Sequence, residues 1–143
     1  VAEYTENHIN YRDRFFKQEF KIRNNLDAIS HATCQMAIDV GAKAIVVHSR
    51  SGVTARMVSR FRCPIDIVGM TTSERIWRRL NLSWGVIPIL NEEFTSTDVM
   101  YYHGFNVAKD ILGLEAGDNV VMTGGLINGT AGNTNTIKVE TVN

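Results

Sequence analysis

Cysteine is scarce in this chain. Cys34 and Cys63 have no CxxC spacing, no nearby His pair and no dense framework of further cysteines, which removes zinc, thioredoxin-like and disulfide-scaffold readings together. Two reduced, core-type thiols in a cytoplasmic protein are the expectation. An excess of charge of one sign is also missing: 15 Lys and Arg offset 15 Asp and Glu, so no global field draws the chain to nucleic acid or to an anionic membrane. Any anion binding must be local. No apolar run approaches the roughly 20 residues that a membrane helix needs, and no signal-peptide pattern opens the chain.

Catalytic constellations are equally sparse. His8, His31, His48 and His103 are scattered, none matched to a Gly-x-Ser-x-Gly elbow or to a metal-type spacing, and they read as structural. Asp39 and Asp66 have no candidate partners, and Glu92-Glu93 reads as an exposed turn running into a helix cap. No Gly-Lys-Ser/Thr of a Walker loop and no GxGxxG occurs. Nothing assembles an acid, a base and a nucleophile, so no catalytic residue, metal site or cofactor is assigned to this chain.

What is present is a single-domain composition: 143 residues, 44% hydrophobic, enough to bury one substantial core. The first residue is Val rather than Met, which points to a processed chain or a fragment. Tyr4 to about Phe20 is charged and helical in flavour, and its basic cluster Arg12, Arg14, Lys17, Lys21 and Arg23 is interleaved with acids, as on a solvated face. A stronger helix is predicted from Leu26 to Val40, with Leu26, Ile29, Thr33, Met36, Ala37 and Val40 as its buried stripe, Asn25 as cap and Gly41 as stop.

A rhythm follows: apolar run Ala44 to Val47, helix Thr54 to Phe61, apolar run Ile65 to Val68, helix Ser73 to Leu80. Trp84 to Ile89 reads as a third strand. A long helix follows from Thr97 to Leu112, with Val99, Tyr102, Phe105, Val107 and Ile111 as its apolar positions, Ser96 or Thr97 as cap and Gly113 as stop. Asn119 to Thr123 is a fourth strand and Thr136 to Val142 a closing edge strand. The expected fold is an open three-layer α/β sandwich, with a five-stranded, mostly parallel sheet, an antiparallel closing edge strand and helices on both faces.

In such sheets ligands sit in the crevice at the carboxyl ends of the strands. Two loops lie there. Ser49-Arg50-Ser51-Gly52-Val53-Thr54 joins the first strand to a helix start, where unpaired backbone N–H groups and the helix dipole favour an anion and Ser, Thr and Arg add donors. The same residues suit an ordinary turn with Thr54 as N-cap; on this motif alone the two readings stand level. Gly124 to Gly132 is longer than a tight hairpin requires, and excess loop length in a compact domain raises the odds of function. The two loops are placed to converge on one ligand.

The run from Ala44 to Ile65, spelled AIVVHSRSGVTARMVSRFRCPI, resembles the first strand, effector loop and following helix of the pyruvate kinase C-terminal domain. Leu82 to Pro88, Gly117 to Val121 and Gly132 to Val139 resemble, in order, that family's third strand, fourth strand and closing loop with its strand. The resemblance implies that residues 1–24 correspond to a helix ending the family's catalytic barrel and 25–143 to the regulatory domain. It places phosphoryl transfer between phosphoenolpyruvate and ADP, with its magnesium and potassium, in a separate barrel of about 250 residues that this chain is too short to contain.

The resemblance further implies that Ser49, Arg50, Ser51 and Thr54, with the backbone of Ser51, Gly52, Val53 and Thr54, bind one phosphate of a sugar-phosphate or nucleotide-monophosphate effector. Asn128, Gly129, Thr130, Ala131 and Gly132 would fold over the sugar. Family members that hold a bisphosphate use a Trp and an Arg for the second phosphate; here Glu93 and Met100 stand in those places, and a carboxylate repels a phosphate. A homotetramer joined partly through C-terminal domains is implied as well. A free-standing phosphate-ligand sensor with the same fold is the alternative reading.

Overall fold

A computed structural model describes residues 10–125 and 134–143. Among these, five helices and five strands occur in the order α1 (Tyr11–Lys17), α2 (Asn25–Asp39), β1 (Ala44–His48), α3 (Val53–Arg60), β2 (Asp66–Thr71), α4 (Glu74–Leu80), β3 (Val86–Leu90), α5 (Thr97–Leu112), β4 (Asn119–Gly124) and β5 (Thr136–Thr141). One sheet has the order β3-β2-β1-β4-β5. Its first four strands run parallel and β5 returns antiparallel along β4. The expected α/β architecture with an antiparallel edge is what the structure shows.

Alternation along the strands divides the interior into two cores. Ile45, Val47, Ile67 and Val121 face α2, α3 and α4, in a layer that also holds Cys34, Ala37, Val58, Cys63, Ile76 and Leu80. Ala44, Val46, Val68, Met70, Val120 and Met122 face α5, against Met100, Tyr101 and Ala108. Because both faces of β1 are covered, Ala44 through Val47 are fully buried, which is why a continuous apolar run rather than an alternating one marks a parallel strand. Each such Val or Ile removed from water contributes about 1.5–3 kcal/mol.

Helix ends follow the capping rules, with two corrections. Ser73 and Ser96 accept the N–H groups of Ile76 and Val99, and α5 ends at Gly113 in the left-handed region. The cap of α2 is Asn24, not Asn25: its side chain accepts from the Asp27 N–H at 2.8 Å. Thr54 is not the cap of α3. That position falls to Gly52, at φ 76 and with no side-chain cap bond.

The buried stripes also differ from expectation. On α2 the expected Thr33 and Ala37 are buried, together with Ser30, Cys34 and Ile38, whereas Leu26, Ile29, Met36 and Val40 are only half-buried. Small side chains bring the helix close to the sheet, and the Thr33 hydroxyl is satisfied by the Ile29 carbonyl at 2.7 Å. On α5, Phe105 and Val107 pack against the core as expected, but Val99, Tyr102 and Ile111 are exposed, while Met100, Tyr101, Gly104 and Ala108 are buried. Gly104 is the reason: a Cβ there would lie 2.6 Å from His48 Nε2 and 3.0 Å from Val46 Cγ1, so the closest approach of helix to sheet occurs at a residue without a side chain.

The basic residues Arg12, Arg14, Lys17, Lys21 and Arg23 are exposed, as the solvated-face reading expects. Beneath them Phe15 packs with Phe20 and stacks on His31, and Phe61 meets both Phe20 and His31. The edges of the sheet are unlike. At β3, Pro88 supplies no N–H, and its carbonyl accepts from Trp77 Nε1 at 3.2 Å; among the described residues β5 is paired on one side only. No helix of the described residues is long and apolar enough to cross a membrane.

Candidate functional site

The loop after β1 sits at the carboxyl edge of the central strand and is built largely from its own hydroxyls. Ser49 continues the strand by donating its N–H to the Met70 carbonyl at 2.9 Å, which aims its side chain at the turn. Ser49 Oγ then accepts the Gly52 N–H at 2.9 Å. Ser51 Oγ accepts the Val53 N–H at 3.4 Å. Two backbone donors of the helix start are thus held by serine oxygens, and an anion entering the loop must share or displace them.

Gly52 makes this geometry possible. Its φ of 76 lies in the left-handed region, and a Cβ would come 2.7 Å from Ile76 Cγ2 and 3.6 Å from Leu80 Cδ2. Glycine alone takes such a conformation without strain. Two residues further on, Thr54 is buried and its hydroxyl meets the Thr134 hydroxyl at 2.7 Å. Asn135 N–H donates to the Gly124 carbonyl at 3.1 Å, closing the opposite end of the same junction. Thr136 reinforces it by donating its hydroxyl to the Gly124 carbonyl at 2.8 Å while its own carbonyl accepts from Thr123 Oγ1 at 2.8 Å. Tyr101 of α5 hydrogen-bonds the same Thr136 hydroxyl.

The structure therefore brings Ser49, Ser51, Gly52 and Thr54 together at a helix start and ties them to Thr134, just ahead of β5. Asn128, Gly129, Thr130, Ala131 and Gly132 lie outside the described residues. Thr134 escaped the sequence reading, though its position directly after the Gly/Asn-rich closing loop was the available signal.

Arg50 does not point free into solvent. Its guanidinium lies 3.4 Å from Glu93 Oε1, both side chains being well exposed. Glu93 also lines an open cavity of about 540 Å³ with Thr72, Glu74, Leu90, Asn91 and Glu92 at the carboxyl ends of β2 and β3. This edge of the crevice is rich in carboxylates. Met100, the second residue standing where the family's second-phosphate donors stand, is buried in the core under α5.

Two histidines read as scattered meet here. His48, the last residue of β1, and His103 of α5 both pack against Phe94, with ring centroids 6.2 and 5.1 Å away. His48 Nε2 is buried without a hydrogen-bond partner. Burial, and secondarily the charge of His103, hold its imidazole down to about 4. It is a neutral packing group behind the loop, in keeping with the structural reading. Among the described residues no group of three His, Cys, Asp or Glu side chains is placed to hold a metal.

An open, mostly parallel α/β sheet, with a glycine-capped helix start on the carboxyl edge of its middle strand, defines the class of open α/β domains, whose ligands, where they have them, sit at that edge. Residues 27–140 match the sequence profile of the family described as "Pyruvate kinase, alpha/beta domain". The chain is 37% identical to a pyruvate kinase of Clostridium acetobutylicum over 99% of its own length and 30% of that protein's. It is 42% identical to pyruvate kinase 2 of Synechocystis over 81% of its length and 20% of that protein's. With a pyruvate kinase of Lactobacillus delbrueckii the figure is 34% over 87% and 21%. The chain belongs to the pyruvate kinase family, as its C-terminal α/β domain. It spans less than a third of the length of these relatives.

Proposed function

We propose that this chain is the regulatory domain of a pyruvate kinase, and that the loop Ser49 to Thr54 receives a phosphate of an allosteric effector. The parent enzyme would transfer phosphate from phosphoenolpyruvate to ADP, a step of glycolysis in the cytoplasm, in a catalytic barrel that supplies the magnesium and potassium sites. Residues 1–24 would form the end of that barrel. The observation that carries the reading is the junction at Thr54: its bond to Thr134 joins the hydroxyl-lined helix start to the segment entering β5, so that one ligand can touch both.

The hydroxyls of Ser49, Ser51 and Thr54 and the guanidinium of Arg50 would donate to the phosphate, with N–H groups of the first turn of α3 behind them. Asn128 to Gly132 would cover the sugar or nucleoside. Glu93 beside Arg50 favours an effector with a single phosphate, because a second phosphate would face carboxylates rather than the cationic donor it needs. Regulation requires that the effector bind one subunit arrangement better than another; a homotetramer meeting partly through these domains would provide two.

Calorimetric titration with a hexose monophosphate, with AMP and with fructose 1,6-bisphosphate tests this. Binding of a monophosphate that Arg50→Gln weakens is the expected outcome. Tight bisphosphate binding undiminished by that substitution, or no binding of any phosphate ester, sinks the reading.

A further inference from the structure

Tyr101 has no part in the phosphate site proposed above, yet it touches both strands that flank that site. It lies in the second turn of α5, buried, beside the close approach of helix to sheet at Gly104. Its ring meets the His48 imidazole edge to face, with centroids 5.9 Å apart, and His48 ends β1 directly ahead of Ser49. Its hydroxyl bonds Thr136 Oγ1, and Thr136 opens β5 two residues after Thr134. Lys138 of β5 holds its ammonium 5.9 Å from the centre of the same ring.

Counting protons fixes the direction of these bonds, because a hydroxyl has one to give. Thr136 gives its proton to the Gly124 carbonyl at 2.8 Å, so Tyr101 is the donor and Thr136 Oγ1 the acceptor. The same count applies to the Thr54 and Thr134 hydroxyls, 2.7 Å apart. Whichever of the two donates, the other keeps its proton for a third group, and a phosphate oxygen is a strong acceptor.

The place of Thr134 relative to Thr54 therefore depends on two kinds of anchor. The first is the ladder to β4: Asn135 N–H donates to the Gly124 carbonyl at 3.1 Å and Thr123 Oγ1 to the Thr136 carbonyl at 2.8 Å. The second is Tyr101. Since β4 lies between β1 and β5, those two strands are about 10 Å apart, and the Tyr101 side chain spans the gap, its ring on the end of β1 and its hydroxyl on the start of β5.

We propose that Tyr101 is a positioning residue for the effector phosphate: by bonding Thr136 while packing on His48, it sets the spacing at which the Thr54 and Thr134 hydroxyls meet one phosphate group. The inference rests on the effector reading of the loop after β1. A side chain that does not touch the ligand then governs affinity through one threonine hydroxyl, and not through the stability of the domain. Tyr101→Phe isolates this role, because it removes the donor while keeping the ring on His48 and the bond from Thr136 to Gly124.

The test is calorimetric titration of the wild-type chain and its variants with glucose 6-phosphate, AMP and inorganic phosphate. Tyr101→Phe should weaken the best-bound probe by about two- to tenfold, the worth of one neutral hydrogen bond. In a Thr134→Val background the same substitution should cost less than about twofold, because its effect passes through that hydroxyl. Combined with Arg50→Gln the two losses should multiply, since the Arg50 guanidinium is held by Glu93 and not by β5. Thr136→Ser, which retains the acceptor, should bind as the wild type does. Unchanged affinity in Tyr101→Phe overturns the proposal, as does unchanged affinity in Thr134→Val, or a Tyr101→Phe loss of equal size with and without Thr134→Val. If the wild-type chain binds none of the three probes, the effector reading itself falls and this inference with it, an outcome distinct from wild-type binding that Tyr101→Phe leaves intact.

Discussion

Replacing Gly52 by Ala should be among the costliest single-methyl additions to this domain, and the structure says why in two separable parts. The residue sits at φ 76, and an added Cβ would lie 2.7 Å from Ile76 Cγ2 on α4. Left-handed backbone costs a non-glycine residue about 1–2 kcal/mol. Forcing a methyl into a packed contact costs about 1–3 kcal/mol, and the lower entropy of the unfolded Ala chain returns about 0.4–1 kcal/mol. The net expectation is about 2–4 kcal/mol, read as a lower urea midpoint at unchanged slope and a fall in Tm of about 4–16 °C. Gly113→Ala is the control, since φ is +62 there but nothing lies within 4 Å of the new Cβ; it should show the backbone part alone, about 1 kcal/mol. Ile76→Leu, which moves the branch away from Cβ, should recover part of the Gly52→Ala loss when the two are combined. If Gly52→Ala costs no more than Gly113→Ala, the claim that α4 closes over the loop start is wrong.

Other consequences follow from neighbouring contacts. Glu93→Gln frees Arg50 from the ion pair that it makes among the described residues, and should tighten monophosphate binding by about two- to fivefold, the range of an exposed pair, with the gain shrinking at high salt; titration at two ionic strengths checks it. The imidazole of His48 is held down to about 4, so the unfolded chain takes up its proton first as pH falls from about 6.5. Its share of stability is therefore intact above that value and is lost progressively down to about pH 4, by about 3 kcal/mol in all; unfolding of wild type and His48→Leu across this range should show the difference. Gly104→Ala drives a methyl toward His48 and Val46 and should cost about 1–3 kcal/mol, less up to about 1 kcal/mol of improved helix propensity. A thermal melt combining it with His48→Ala should show recovery.

The order of strands and helices was legible because its signals are local. Ala44 to Val47 reads as a buried parallel strand by its unbroken apolar run, and Ser73, Ser96, Gly41 and Gly113 mark helix ends through bonds made within a few residues. The faces were less legible. Hydrophobicity pointed Val99, Tyr102 and Ile111 of α5 at the sheet, whereas Gly104 sets the contact by having no side chain at all. On α2 the expected Thr33 and Ala37 are buried, but Ser30 and Cys34 join them where Leu26 and Met36 were expected, for the same reason. The loop after β1 was found from its hydroxyl-rich turn into a helix. Its internal economy was not, because the Arg50–Glu93, Thr54–Thr134 and His48–Phe94 contacts join residues that only the folded sheet brings together.

Pro88 and Trp77 have an effect that reaches beyond the single domain. One margin of the sheet is interrupted at β3, where Pro88 lacks a donor and its acceptor is already taken, and among the described residues the other, β5, has no strand on its outer side. Of the two described edges, β5 is the one that offers an uninterrupted row of donors and acceptors to a further strand. Two copies meeting edge to edge there would use up both open margins about a two-fold axis and leave nothing for a third. The two described margins thus differ in what they offer a partner strand: pairing along β5 would favour a pair over a fibre, and a larger assembly would then be built through other surfaces.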